Sequence, residues 1–259
     1  MKPSKRLNLI SPFIFYLLIA AALTSCKKDN PANADTRLKS IATVEGQISR
    51  KIVFLYDRSG LLMQTKHYQN SQINAYTDYQ YASGKIAAAQ TYEQFSGKAA
   101  RLILETSFVH AGDRLVRVEM VEATQAARKF VYEFDYSSGE IPKVTTVLPK
   151  GAYLEDGTGM PPVSTTDMMQ DVELDDKRNP LRGLPYVSLI HFEYEQMKGY
   201  AFSFNAVGYF LPNNVTRQGA GYMDMLTTNQ YTYNKAGFPV RCLSMLTPGG
   251  VKSEHIYEY

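Results

Sequence analysis

The chain has no tryptophan, only two cysteines and only four histidines in 259 residues. Each shortage excludes something. Two cysteines, Cys26 and Cys242, allow one disulfide at most, and none if Cys26 carries another group. The fold must then stand on its hydrophobic core, for which the chain is long enough. His67, His110, His191 and His255 show no His-x-x-x-His spacing, and there is no Cys-x-x-Cys. A zinc site would have to be assembled from distant segments, so solvated or half-buried strand histidines are the plainer reading. No Gly-x-Ser-x-Gly elbow and no glycine-rich phosphate loop occurs; Gly249-Gly250 reads as a hairpin turn. The absence of tryptophan also argues against a carbohydrate-stacking platform.

Long hydrophobic runs are missing too, with one exception at the start. Lys2, Lys5 and Arg6 precede a mostly apolar run from Leu7 to Thr24, which ends in Leu23-Thr24-Ser25-Cys26. That is the pattern of a bacterial lipoprotein signal, a processing segment rather than part of the fold. A membrane-spanning anchor would need flanks on both sides and gives no reason for a cysteine there. The expected organisation is a signal peptide over 1–25, a lipidated flexible tether over 26–37 and one domain over 38–259. The formal charge of +3 belongs to the signal: Lys2, Lys5 and Arg6 come off the 28 basic residues, leaving 25 against 25 acidic ones. A neutral chain has no basic field to recruit nucleic acid or an anionic membrane.

What the chain has in quantity is tyrosine beside tight turns. Gln230 to Arg241 reads as strand, turn, strand, with Asn234 and Gly237 bracketing the turn. The pattern recurs over Ile52 to Tyr68 around Asp57-Arg58-Ser59-Gly60, and over Phe130 to Val147 around Tyr136 to Gly139. An Asx residue first and a glycine fourth predict a type I turn closed by a glycine bulge. Gly84 and Gly112 mark two further hairpins, the second pairing Leu102–Phe108 with Leu115–Val121; Ser83-Gly84 and Ser138-Gly139 fit either this loop or a two-residue one. Glycines 60, 84, 112 and 139 stand 24, 28 and 27 residues apart, an irregular repeat. Phe130, Tyr132, Phe134 and Tyr136 alternate with polar or small residues, which puts all four on one face of a strand. That face needs cover, so the sheet is expected to curl over it and leave some tyrosine hydroxyls open at the rim.

Elsewhere the pattern is less regular. Leu38 to Val44 fits a short strand or a helical turn, and Gly151 to Thr166 reads as a long exposed loop. Asp171 to Asn179 makes a strand and turn. Leu184, Val187, Ile190, Tyr194 and Met197 fit a short amphipathic helix or a pair of strands. Asn213-Asn214-Val215 turns into another strand, and His255 to Tyr259 closes the chain as a last one.

The chemical candidates weigh as follows. Asp171, Asp175, Asp176 and Asn179 offer oxygen ligands to a hard cation but lack the order of a known loop, and turn formation explains them as well. Glu133 and Asp135 suit a glycosidase pair only by a spacing that is common by chance. Cys242 has no basic neighbour in sequence and reads as a small core residue. The positive signal is aromatic: Phe130, Tyr132, Phe134, Tyr136, Tyr231 and Tyr233 form the candidate binding face, beside the plainer reading that tyrosines hold the sheet.

The lipobox, the Tyr-Asn-x-x-Gly hairpin, the run Asp175-Asp176-Lys177-Arg178-Asn179-Pro180 through Leu184, and Asn213 to Thr216 together resemble a group of Bacteroidetes lipoproteins of unknown function built from tyrosine-rich tandem hairpins. The hairpins also look like the Tyr-Asp repeats of large bacterial wrapping proteins. The resemblance covers about residues 38–259 and implies an all-β, antiparallel meander curved like a porin, with no catalytic residues and no cofactor or metal to carry over. At most one or two short helices are expected. The functional expectation is an outer-membrane lipoprotein, anchored through lipid on Cys26, that binds a polymer, lipid or protein and no nucleic acid. The competing expectation is an enzyme acting on envelope glycans or lipids. Lys27-Lys28-Asp29 only partly matches an acidic export signal, so periplasmic and outward-facing placements both fit.

Overall fold

The computed structural model describes residues 36–94, 97–123, 129–137, 139, 142–147, 163–164, 170–184, 211–220 and 225–259. The proposed signal and nearly all of the tether lie outside these residues, as do most of the 151–166 loop and the Val187 to Met197 stretch. Residues 38–259 form one compact unit. Its described residues contain strands and turns and no helix.

The strands are β1 (Ser40–Glu45), β2 (Ile48–Tyr56), β3 (Leu62–Gln69), β4 (Gln72–Ala82), β5 (Lys85–Glu93), β6 (Arg101–Ala111), β7 (Arg114–Glu122) and β8 (Lys129–Asp135). They continue as β9 (Lys143–Val147), β10 (Val163–Ser164), β11 (Gln170–Arg178), β12 (Asn213–Ala220), β13 (Met225–Tyr233), β14 (Pro239–Thr247) and β15 (Val251–Glu258). All 15 belong to one sheet, ordered β10 through β1 and then β15 back to β11. Each neighbour is antiparallel, and the last strand pairs with the first, Thr43 opposite His255. The sheet is an all-β meander of tandem hairpins, open between β10 and β11. Of the stretch Leu38 to Val44, residues 40–44 are strand, within β1, and the loop from Gly151 contains the short strand β10.

The turns follow the side chains. Asp57 Oδ1 accepts from Leu61 N at 2.9 Å and Gly60 N reaches Asp57 O at 3.1 Å. The second copy is the same: Asn234 Oδ1 accepts from Phe238 N at 3.0 Å, and Gly237 N reaches Asn234 O at 3.0 Å. Asp57 N to Leu61 O and Asn234 N to Phe238 O, both 2.9 Å, close the expected glycine bulge, and each ladder slips by a further residue beside the turn, at Met63 and at Val240. Gly60 and Gly237 have φ of 93° and 81°, which a Cβ would oppose. Ser83-Gly84 is instead a two-residue turn between Ala82 and Lys85. The turns at Gly46-Gln47 and Asn70-Ser71 carry a weaker sequence signal, because Asn70 and Ser71 take positive φ without being glycine.

Strand alternation sorts the turns. Those after β2, β4, β6, β8 and β13 all fall at one end of the sheet, hereafter the tyrosine end. These are the five glycine turns read from the sequence, so their spacing of roughly two strands is the period of one hairpin.

The core lies along one face. Ile52, Phe54, Tyr79, Leu104, Phe108, Val118, Met120, Tyr132 and Phe134 join a single buried cluster, packed with Leu38, Leu62, Ile86 and Leu211. Following the register from strand to strand puts Ile41, Thr43, His255, Cys242 and Tyr231 on this same face. We call it the inner face. No helix among the described residues covers it.

Candidate functional site

All six aromatics of the candidate face fall on the inner face by register, Phe130 opposite Met120 and Tyr132 opposite Val118. Tyr132 and Phe134 are core residues, 2% and 5% exposed. Tyr136 is half-buried at the tyrosine end, with the Arg114 guanidinium 5.0 Å from its ring centre. Tyr231 and Tyr233 stack on each other at 5.9 Å, on β13, ten strands along the sheet from β8. The Tyr231 hydroxyl donates to Val215 O at 3.2 Å, and burial drives its acidity far down. Tyr233 donates a short bond to Asp175. The sheet thus puts the two groups on one face without joining them in one contact.

The tyrosine end shows a device that sequence reading missed. In four hairpins whose turns lie at the far end, the aromatic closing the second strand hydrogen-bonds the carbonyl beginning the first; in β12–β13 Tyr233 donates to Asp175 instead. Tyr56 donates to Leu38 O, Tyr81 to Leu62 O, His110 Nε2 to Ile86 O and Tyr259 to Pro239 O, each at 2.9 Å. Tyr136 holds the equivalent place in β7–β8. The signal was available as an aromatic one to three residues before each turn and an apolar residue shortly after it. The carbonyls lie at the frayed start of each strand, where a side-chain donor replaces water.

Away from that end the inner face becomes polar. Thr65, Thr77 and Thr91 stand opposite one another across β3, β4 and β5, all fully buried. Thr65 Oγ1 lies 3.2 Å from His67 Nε2 and 3.1 Å from the Tyr79 hydroxyl, and Thr77 and Thr91 bond at 2.9 Å. Buried hydroxyls satisfy one another here, as they must when water is excluded. A second belt crosses the N- to C-terminal seam. Thr43 Oγ1 and Ser253 Oγ flank the two ring nitrogens of His255 at 2.9 and 3.2 Å. Cys242 sits directly opposite His255, a basic neighbour that the sequence did not reveal. Both imidazole nitrogens are held by hydroxyls, and burial raises the thiol above its usual acidity range while lowering His255 below 6.5. This pair is therefore not an activated thiolate.

The oxygen-rich run on β11 is a structural staple. Asp175 accepts from Lys177 N at 2.9 Å and from Asn214 N and Nδ2 at 3.1 Å. Asn179 accepts from Leu181 N and donates to Leu211 O, both at 3.0 Å. The Asp175 carboxyl ties β11, β12 and β13 together, and among the described residues no group of acidic, histidine or cysteine side chains could hold a metal. Glu133 and Asp135 point outward. Ser137 N and Oγ, both at 2.9 Å, hold the Asp135 carboxyl below its ordinary value. A glycosidase acid needs the opposite shift.

The outer face is charged. Arg241 pairs with Glu254 at 2.5 Å, Lys51 with Glu258 at 3.0 Å, and Glu119 with Arg117 at 3.1 Å and Lys129 at 2.5 Å. Gln64 bonds Asp78 at 2.7 Å across β3 and β4.

No known family model and no curated protein matches the chain. Among solved structures it is similar to a porin-like protein from Bacteroides uniformis ATCC 8492, at 12% identity and TM-score 0.44 over 86% of this chain and 96% of that one. It is also similar to a porin-like protein from Bacteroides vulgatus ATCC 8482, at 14% identity and TM-score 0.46 over 87% of this chain and 99% of that one.

Proposed function

We propose that the chain is a lipid-anchored, non-catalytic module of the outer membrane, whose sheet stays outside the hydrocarbon and binds an envelope polymer, lipid or protein at its tyrosine end. Cys26 would carry the lipid, and residues 26–37 the tether. The observation that carries this reading is the outward face. A strand barrel that crosses lipid shows an apolar band on that side, and each Arg or Lys at mid-membrane costs about 2–4 kcal/mol. Here the same side carries Arg241–Glu254, Lys51–Glu258 and Arg117–Glu119–Lys129. Such a wall does not cross hydrocarbon, so the route into the membrane is the lipid. The tyrosine end supplies amphipathic side chains, half-buried Tyr56, Tyr81 and Tyr136, around an apolar floor of Leu38, Leu62 and Ile86.

The test is fractionation with metabolic labelling by a palmitate analogue. The wild type should be labelled and membrane-bound, while Cys26→Ala should lose the label and leave the membrane without detergent. A Cys26→Ala protein that stays in the membrane through salt and alkaline washes would overturn the reading.

A further inference from the structure

We propose that the outer face of β14, β15 and β1 is a membrane-resting face, laid side-on against an anionic lipid surface; this rests on the lipid anchor proposed above. Four of the exposed large hydrophobic residues gather there: Leu243 and Met245 on β14, Ile256 on β15 and Val44 on β1, each 40–43% exposed. The register makes them neighbours. Ile256 stands opposite Arg241, two residues from Leu243, and Val44 stands opposite Glu254, itself opposite Leu243. Single exposed apolar residues need no explanation, but a group on three adjacent strands of one face does.

Two observations choose the occupant. The first is charge. On the outward rows of β14, β15, β1, β2 and β3, Arg241, Lys252, Lys51 and Lys66 outnumber Glu254 and Glu258. On the outward rows of β4 to β8 the surplus of basic residues is gone, with Asp78, Glu105, Glu119, Glu133 and Asp135 against Lys85, Arg114, Arg117 and Lys129. One wall is thus basic and the other close to balance on the acidic side, so an anionic surface attracts the first more than the second. The second is the tether. It spans 26–37 and leads directly into β1. Twelve residues reach about 40 Å fully extended and average about 20 Å as a coil. A lipid on Cys26 therefore keeps β1 and its neighbours close to the bilayer, where even weak contacts form at high effective concentration. Lysine and arginine stems lie along apolar surface with their charges toward headgroups, so the mixed composition suits an interface rather than a protein partner's dry core.

The experiment uses the mature lipidated protein on vesicles of phosphatidylethanolamine with a minority of phosphatidylglycerol. An environment-sensitive fluorophore is placed at Met245→Cys or, on the other wall, at Glu133→Cys; Cys242 is buried and does not compete. Quenchers attached to the lipid should dim the label at 245 severalfold more than that at 133. The difference should shrink when phosphatidylcholine replaces the anionic mixture, and in Leu243→Ser/Ile256→Ser. If the protein co-floats with the vesicles but both labels are quenched alike, the resting face is wrong while the anchor stands. If the protein does not co-float at all, the lipid anchor fails and the inference fails with it.

Discussion

Removing one hydroxyl from each of two distant tyrosines tests the latches at the tyrosine end. Tyr81→Phe and Tyr259→Phe keep the rings, and with them nearly all of the buried apolar area. Each loses one bond of 2.9 Å, to Leu62 O or to Pro239 O. A typical hydrogen bond of this kind contributes about 0.5–1.5 kcal/mol net, because water partly replaces it. In a domain of this size 1 kcal/mol shifts the midpoint by about 2–4 °C. Strands β4 and β15 are separated by β3, β2 and β1 in the sheet, about 19 Å at ordinary strand spacing. The two effects should therefore add within about 0.5 kcal/mol. Paired thermal and urea unfolding would measure them, with the m-value unchanged. The latch also has a pH signature. Burial raises the folded pKa of both hydroxyls above 10, so the folded state holds a proton that the unfolded chain has begun to lose. This stability is complete below pH 10 and falls as pH rises toward the folded value. Both variants should lose stability less steeply above pH 10 than the wild type. Variants as stable as the wild type at neutral pH, with the same alkaline slope, would refute the idea that these bonds hold the sheet's end.

Other outcomes follow from the same geometry. Gly237→Val should cost about 1–3 kcal/mol, because φ is +81° although the nearest atom to a new Cβ, Lys177 Cδ, is 3.9 Å away; an unchanged melting midpoint would contradict that backbone. Phe134→Ala, at 5% exposed, should cost about 3–5 kcal/mol in denaturant unfolding, whereas wild-type stability would mean the inner face is open. His255 has a folded pKa below 6.5, so the unfolded chain binds its proton first. Stability should fall as pH drops below 6.5 and level off under the folded value, and His255→Gln should flatten that limb.

The sequence made the hairpins legible because their chemistry is local. Asp57 and Asn234 form their turns with atoms four residues away at most, so a short window contains the whole cause. Alternating aromatics gave the face of β8 for the same reason. The latches were harder, since Tyr56 and Leu38 are 18 residues apart and meet only when a hairpin forms. Hardest was the seam: His255 and Thr43 are 212 residues apart, and no local pattern announces that the last strand pairs with the first. Asp175 looked like a cation ligand because its partner Asn214 is 39 residues away.

Arithmetic of direction has the last consequence. Fifteen described strands joined by antiparallel neighbours alone must begin and end pointing the same way, so β10 and β11 run parallel. A parallel pair needs a crossover of roughly a dozen residues or more, and only residues 165–169 separate these two. An even count would let the ladder close through antiparallel pairs alone; the odd count of described strands leaves a parallel pair as the closing step. Among the described strands the gap thus falls where the alternation of direction fails, and a further strand between β10 and β11 would have to run against both to continue the ladder.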